Sequence, residues 1–380
     1  MESRTGKRMV LFGAVLSGVI ACSSSAPTGP APTPTPTPVP TPLPFATSGR
    51  LVDALTGASI PGVLAAGTGV SGGPSDAGGV LRLVAETSLD SARPITFTNV
   101  SVVERQVAMK IPGADVTVSM IPSSFDLNAF DEMFRVSQLQ RWGSAPPLRV
   151  QSRLLQFTST GANAATGLDE VLTDDERAVL EADLTWALPQ LTGDQFREFS
   201  SVTRETVTEG ESVSVLNTGV ITVARFKGLT SATGYWGYAR WLVRTDGMVT
   251  GGLIMLDRDF EKSGSAFRRS LRSHELGHAL GYTHVTVRPS VMNSAARIEP
   301  NAFDLQAARI AFQRPPGNRR PDVDPVGLSA NVASVTAVWS VGAGSGGVEA
   351  RERTPRLLPV SLRVWLWWTA FARAQMARQP

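Results

Sequence analysis

Between residues 48 and 122 the chain alternates apolar and polar positions in short runs, broken by Gly-rich turns. The period predicts strands at 48–52, 60–66, 80–84, 95–100, 102–111 and 116–121, with turns at 55–57, 72–74, 76–79 and 112–113. Six short strands at this spacing predict a small antiparallel β-sandwich over 47–122. Next, Leu127, Phe130, Met133 and Phe134 recur at helical intervals behind Ser124 as a possible N-cap. They predict a connecting helix within 123–145. The second region, 146–316, opens with a strand at 148–157. A helix then begins at Thr173-Asp174-Asp175-Glu176, whose acids suit a helix N-terminus, with Val179, Leu180, Leu184 and Leu188 as its apolar stripe. Strands at 212–216, 219–226, 235–244 and 248–256 follow, then a helix at 265–280. Strand, helix, several strands, helix is the order of an α+β domain.

The two ends read differently. Arg4, Lys7 and Arg8 precede a 13-residue apolar run, Met9 to Ala21, the form of an export signal. The run stops at Cys22, which is followed by three serines. Residues 27–44 alternate Pro with Thr, Ala or Val. Such a segment favours polyproline II and at about 3.1 Å per residue reaches on the order of 55 Å, a semi-rigid tether within 22–46. Beyond 317 the chain loses its periodicity. Residues 357–372 are apolar and Trp-rich but interrupted by Pro359 and Arg363, which does not make a membrane span. No function is assigned to 317–380.

Composition narrows the possibilities. With 42% hydrophobic and 18% charged residues the chain is neither collagenous, coiled coil nor wholly disordered. A formal net charge of +3 and the lack of any basic–aromatic motif exclude nucleic acid as the expected partner. The single Cys, Cys22, excludes an intrachain disulfide and a Cys-rich metal site. The three histidines of the protein all lie within 274–284.

That segment reads His274-Glu275-Leu276-Gly277-His278-Ala279-Leu280-Gly281-Tyr282-Thr283-His284. On a helix His274 and His278 stand one turn apart on one face and can bind one Zn²⁺ together. Glu275 lies beside them as a candidate general base. Gly281 can leave the helix at positive φ and return His284 as a third ligand. Three protein ligands leave a position open for water, which is the arrangement of a catalytic zinc site.

The segment resembles the zinc signature of the metzincin metallopeptidases, nearest to the matrixin-like group. The resemblance covers roughly 148–312, with 274–292 as its specific part. It implies an α+β protease domain, a zinc cofactor, a protein or peptide substrate, and a Met in a tight turn beneath the metal. Pro289-Ser290-Val291-Met292-Asn293 offers Met292 for that turn. It also implies that a strand just before the catalytic helix edges the cleft and pairs with substrate, for which Gly251, Gly252 and Leu253 are the candidates. Val285 departs from the Ser usual after the third His in matrixins. Ser294 replaces the Tyr that astacin-like and serralysin-like enzymes use as an extra ligand. A thermolysin-like alternative would take Glu299 as third ligand in place of His284. A different class of alternative is an inert surface binding or adhesion protein on the same fold.

Two further resemblances concern the other segments. Gly49-Arg50-Leu51-Val52-Asp53, Ile60-Pro61-Gly62-Val63 and Ser75-Asp76-Ala77-Gly78-Gly79-Val80 resemble carboxypeptidase regulatory-like domains, which implies a spacer or binding module. Val19-Ile20-Ala21-Cys22 resembles the lipobox of bacterial lipoproteins. It implies a signal peptide over 1–21, lipidation of Cys22, and a membrane-anchored protein of the cell envelope, in the outer membrane where the host has one.

Overall fold

The computed structural model of the chain describes residues 45–294, 298–326 and 334–340. The expected signal, Cys22, most of the tether, and the apolar stretch at 357–372 lie outside the described residues. Among the described residues no helix is long and apolar enough to cross a membrane. The fold is mixed α and β, and rich in sheet.

Seven strands build the first sheet: β1 (Phe45–Asp53), β2 (Leu64–Gly67), β3 (Val70–Gly72), β4 (Val80–Ala85), β5 (Leu89–Thr98), β6 (Arg105–Ile111) and β7 (Val116–Met120). Their order is β6-β5-β2-β3-β4-β1-β7. The expected layout was wholly antiparallel, but β1 runs parallel to β7, with Gly49 opposite Val116 and Asp53 opposite Met120. Alternation works as the sequence suggests. Leu81 and Leu83 point inward from β4 while Val80 and Arg82 face solvent, and Ile95, Phe97, Met109 and Ile111 close the core from β5 and β6.

The connecting helix α1 (Leu127–Phe134) is capped by Asp126, whose side chain accepts from the Ala129 N–H, and not by Ser124. A carboxylate two residues later reaches a free amide of the first turn, and the chain at 123–124 is still a turn.

The remaining elements are β8 (Leu148–Gln156), β9 (Ala164–Val171), α2 (Asp174–Leu191), β10 (Val202–Glu205), β11 (Ser212–Ser214), β12 (Ile221–Lys227), α3 (Leu229–Thr233), β13 (Gly237–Arg244), β14 (Val249–Asp257), α4 (Arg258–Lys262), α5 (Arg268–Ala279), α6 (Ala302–Phe312) and β15 (Ser334–Ser340). The second sheet runs β11-β9-β8-β12-β14-β13-β15, with β10 added beside β8. Strands β8, β12 and β14 are mutually parallel, and β13 is antiparallel to β14. The central strands are buried on both faces. On β14, Ile254 and Leu256 join the core under α2, α5 and α6, while Leu253 and Met255 join a second core on the opposite face with Leu155, Phe157, Phe226 and Tyr238.

Helix α2 starts where its acids predict. Thr173 and Glu176 form a capping box, and Leu180, Leu184 and Leu188 are buried. Val179, expected in that stripe, is exposed, because one residue of helix turns it about 100° from the centre of the buried face. Helix α6 was not predicted. Its capping box of Asn301 and Asp304 stands plainly in the sequence, but Ala302, Ala307, Ala308 and Ala311 give it little apolar contrast.

Residues 314–324 belong to the core rather than to a separate tail. Gln106 and Val323 form a parallel bridge on β6, and Asn318 and Asp322 are fully buried. Asp322 pairs with Arg105 at 3.1 Å and with Arg314 at 2.7 Å. Arg135, at the end of α1, donates to Asp131 at 2.7 Å and to Asn318 at 3.0 Å. Helix α1, strand β6 and the segment after α6 therefore meet in one desolvated charge cluster.

Candidate metal centre

Helix α5 carries His274 and His278 on its buried side and stops at Leu280. Gly281 follows at φ +107°, a conformation open to glycine, and an added Cβ there would lie 2.8 Å from Val249 and 3.1 Å from the Gln140 carbonyl. The chain turns back and His284 arrives opposite the two helical histidines. The three rings lie with centroids 4.6 Å (His274–His278), 4.9 Å (His278–His284) and 5.3 Å (His274–His284) apart. One nitrogen from each falls within 4.8 Å of the others, so the cluster could hold a metal ion.

The outer hydrogen bonds orient these nitrogens. The Nδ1 of His274 donates to the Val291 carbonyl at 2.7 Å, and the Nδ1 of His278 to the Tyr282 carbonyl at 2.7 Å. A carbonyl only accepts, so each Nδ1 carries the proton and each Nε2 is left as a lone-pair donor. The Nε2 of His274 is buried without a hydrogen-bond partner. Burial pushes His274 and His278 well below the usual imidazole range, and His284 down to about 4. All three rings are thus neutral near pH 7, the form that ligates.

Glu275 faces the sheet. Both carboxylate oxygens are buried without a partner, and burial holds the group well above the ordinary carboxylate range. Its Oε1 lies against Gly237 of β13, where an added Cβ would come within 2.4 Å. Trp241, two turns of the pleat further along β13, stacks parallel to the His278 ring at a centroid distance of 6.2 Å.

Met292 sits in a tight turn closed by the Asn293 N–H on the Ser290 carbonyl at 3.0 Å, and is fully buried. Its sulfur packs on α5 at Gly277, where a Cβ would approach to 2.4 Å. Asp304, which sequence reasoning missed, holds this turn. It accepts from Ser290 Oγ at 2.5 Å and from the Val291 N–H at 3.0 Å, and Val291 is the residue that orients His274. Its capping-box position was a signal for a helix start, not for a role in the site.

Two candidate assignments come out differently. Gly251, Gly252 and Leu253 do not offer an edge to substrate. Gly252 and Leu253 pair with Ile221 and Thr222 of β12 on one side, and all three residues pair with β13 on the other, opposite Leu242, Trp241 and Arg240. Their lack of bulk serves packing: a Cβ on Gly251 would meet the Asn217 carbonyl at 2.3 Å, and one on Gly252 would meet Ala279 of α5 at 3.1 Å. The strand lying outward of them is β13, and its far side is paired with β15. Glu299, the alternative third ligand, is engaged elsewhere, in a surface ion pair with Arg269 at 2.6 Å. Among the described residues it belongs to no metal-ligating group.

Compared with protein-family models and with curated proteins, the chain matches none.

Proposed function

We propose that the protein is a zinc-dependent endopeptidase of metzincin-like design. A single observation carries the reading: three neutral imidazoles converge, and the helix that bears two of them also bears a buried, unpartnered carboxylate. An isolated buried carboxylate is costly, and a fold retains one where its basicity is used. His274, His278 and His284 would hold the ion, and three nitrogen ligands suit zinc with a position left open. When bound, zinc supplies Lewis-acid polarisation of a carbonyl and acidifies a water. Glu275 takes the proton of the attacking water on its carboxylate and returns it to the leaving amine nitrogen. Burial raises the affinity of Glu275 for a proton in the metal-free protein. The Val291 and Tyr282 carbonyls keep His274 and His278 in one tautomer through the cycle. Gly237 of β13 and Gly277 of α5 let the strand and Met292 pack close around α5 without adding a side chain to the site.

The N-terminal segment gives the reading its place: an export signal, a lipidated Cys22 and a Pro-rich tether would hold the enzyme on the cell envelope. The test is metal content together with hydrolysis of casein and of a peptide library by the purified full-length chain and by Glu275→Gln. Stoichiometric zinc with turnover in the wild type alone is the expected result. Zinc without turnover in either protein would leave an inert binding module instead.

A further inference from the structure

His274 and His278 owe their separation to helix α5, but His284 has no such frame. It lies in a stretch, 282–286, that is neither helix nor strand. A ligand on an irregular segment must be fixed by contacts, or the entropy of ordering it is charged against metal binding. Here the contacts come from outside the metal-binding segment. The Thr283 N–H donates to the Met133 carbonyl at 2.9 Å, and the Thr283 hydroxyl to the Glu132 carbonyl. Beyond the histidine, the Glu132 side chain takes three donors at once. Oε2 accepts from the Thr286 N–H at 2.7 Å and the Val287 N–H at 3.3 Å, and Oε1 from the Thr286 hydroxyl at 2.8 Å. Arg288 pairs with Asp126, the N-cap of the same helix, at 3.2 Å. On its other side the segment is tied by the Val285 N–H to the Met292 carbonyl at 3.0 Å.

Helix α1 is itself packed into the core at this end. Phe130, Met133 and Phe134 are buried, and Phe134 meets Tyr282 edge-to-face at 4.4 Å. We infer that Glu132 is a positioning residue for the third metal ligand, so that the connecting helix is a working part of the metal centre. The inference rests on the reading of the three histidines as a metal site. It makes no use of Glu132's charge. A glutamine at this position keeps an oxygen for the Thr286 and Val287 amides and an NH₂ for the Thr286 hydroxyl, which can turn to accept. Alanine keeps none of these.

The experiment uses the full-length chain, with Zn²⁺ affinity read by competition against a chromophoric chelator and the ligand field read from the visible absorption of the Co²⁺ form. Glu132→Ala is expected to bind Zn²⁺ roughly 10–100-fold more weakly, as for other residues that orient metal ligands, with an altered Co²⁺ spectrum. Glu132→Gln should stay near the wild type in both, and Thr286→Val should fall between. Thermal melting of the metal-free proteins separates stability from positioning. If Glu132→Ala lowers the melting temperature yet leaves Zn²⁺ affinity and the Co²⁺ spectrum unchanged, the proposal is overturned. If Glu132→Gln falls as far as Glu132→Ala, charge is the cause and the proposal is again overturned. Should Glu132→Ala not fold, Glu132→Gln and Thr286→Val decide by the same order. If the wild type binds no Zn²⁺, both this inference and the hydrolase reading fail. If the affinity order holds while no peptide is cleaved, the positioning role stands and only the hydrolase reading falls.

Discussion

At the scale of single residues the protein sets stability against chemistry. Glu275 is buried without a partner, and its proton affinity is raised above the ordinary carboxylate value of 4.5. A group whose folded-state pKa is raised contributes stability below its unfolded pKa, and loses it as pH rises through the folded value. At neutral pH the metal-free protein therefore carries a penalty that Glu275→Gln removes. The variant should melt higher than the wild type at pH 7 without metal, by roughly 0.5–2 kcal/mol in stability, with the gap closing toward pH 4. The same substitution should cost about 10²–10⁴-fold or more in peptide hydrolysis and leave metal bound. Calorimetry against pH and turnover of a fluorogenic peptide check the two halves. Equal melting at pH 7 would mean that the carboxylate has a partner in solution. The histidines have the opposite sign. Their folded pKa values lie below 6.5, so the metal-free protein should lose stability as pH falls from about 6.5 toward the value near 4 of His284. His284→Ala should lose the metal, whereas Glu299→Ala should keep it and lose only a surface pair with Arg269.

At the scale of elements, the site depends on how closely β13 and the Met292 turn approach α5. At Gly277 an added methyl would collide with the Met292 sulfur, and at Gly237 with Glu275. Gly277→Ala is expected to destabilise the fold by about 1–3 kcal/mol, the usual cost of overpacking, despite alanine's better helix propensity. Gly237→Ala should instead act mainly on turnover, because the atom it displaces is the carboxylate. Urea unfolding beside steady-state kinetics distinguishes them. An unchanged turnover in Gly237→Ala would show that Glu275 does its chemistry in another rotamer. Helices α1, α2 and α5 were legible in the chain because period-3.6 stripes and capping residues are local, whereas the short α3 and α4 and the alanine-rich α6 show too little apolar contrast. The capping residue of α1 was misassigned to Ser124 because two good cappers, Ser124 and Asp126, stand two residues apart, and only the path of the preceding turn selects between them.

At the scale of the whole molecule, the buried cluster of Arg105, Arg135, Arg314, Asp131, Asp322 and Asp324 joins three distant stretches of sequence. Removing one member of such a cluster leaves the others desolvated and unpaired. Asp322→Ala should therefore destabilise the chain by about 3–5 kcal/mol, much more than loss of an exposed pair such as Arg309–Asp194. Its arginine neighbours hold the Asp322 carboxyl below the usual range, so this contribution is present at neutral pH and is lost as pH falls below about 3.8. Denaturant melts of Asp322→Ala and Asp194→Ala at pH 7 give the comparison. For the cell, the Cys22 reading predicts that Cys22→Ala moves the protein out of the membrane fraction. A soluble wild type with unmodified Cys22 would leave an exported protein without an anchor.

Spacing along one helix and one reversal made three things legible in the chain: the histidines that could hold a metal ion, the turn at Gly281, and Glu275 as a candidate base. The sequence by itself also determined most strands and α2, through alternation and capping. Tertiary structure alone decided the rest. Sheet order is a matter of pairing between distant segments, and it placed Gly251, Gly252 and Leu253 in the interior and β13 outside them. The contacts of Glu132 and Asp304 arise only when α1 and α6 pack beside the 283–293 segment, since no spacing rule links Glu132 to an amide 154 residues away or Asp304 to one 13 residues back across an irregular stretch. Residues 318–324 carry no apolar period and so read as a tail; burial of Asp322 among Arg105, Arg135 and Arg314 makes them core.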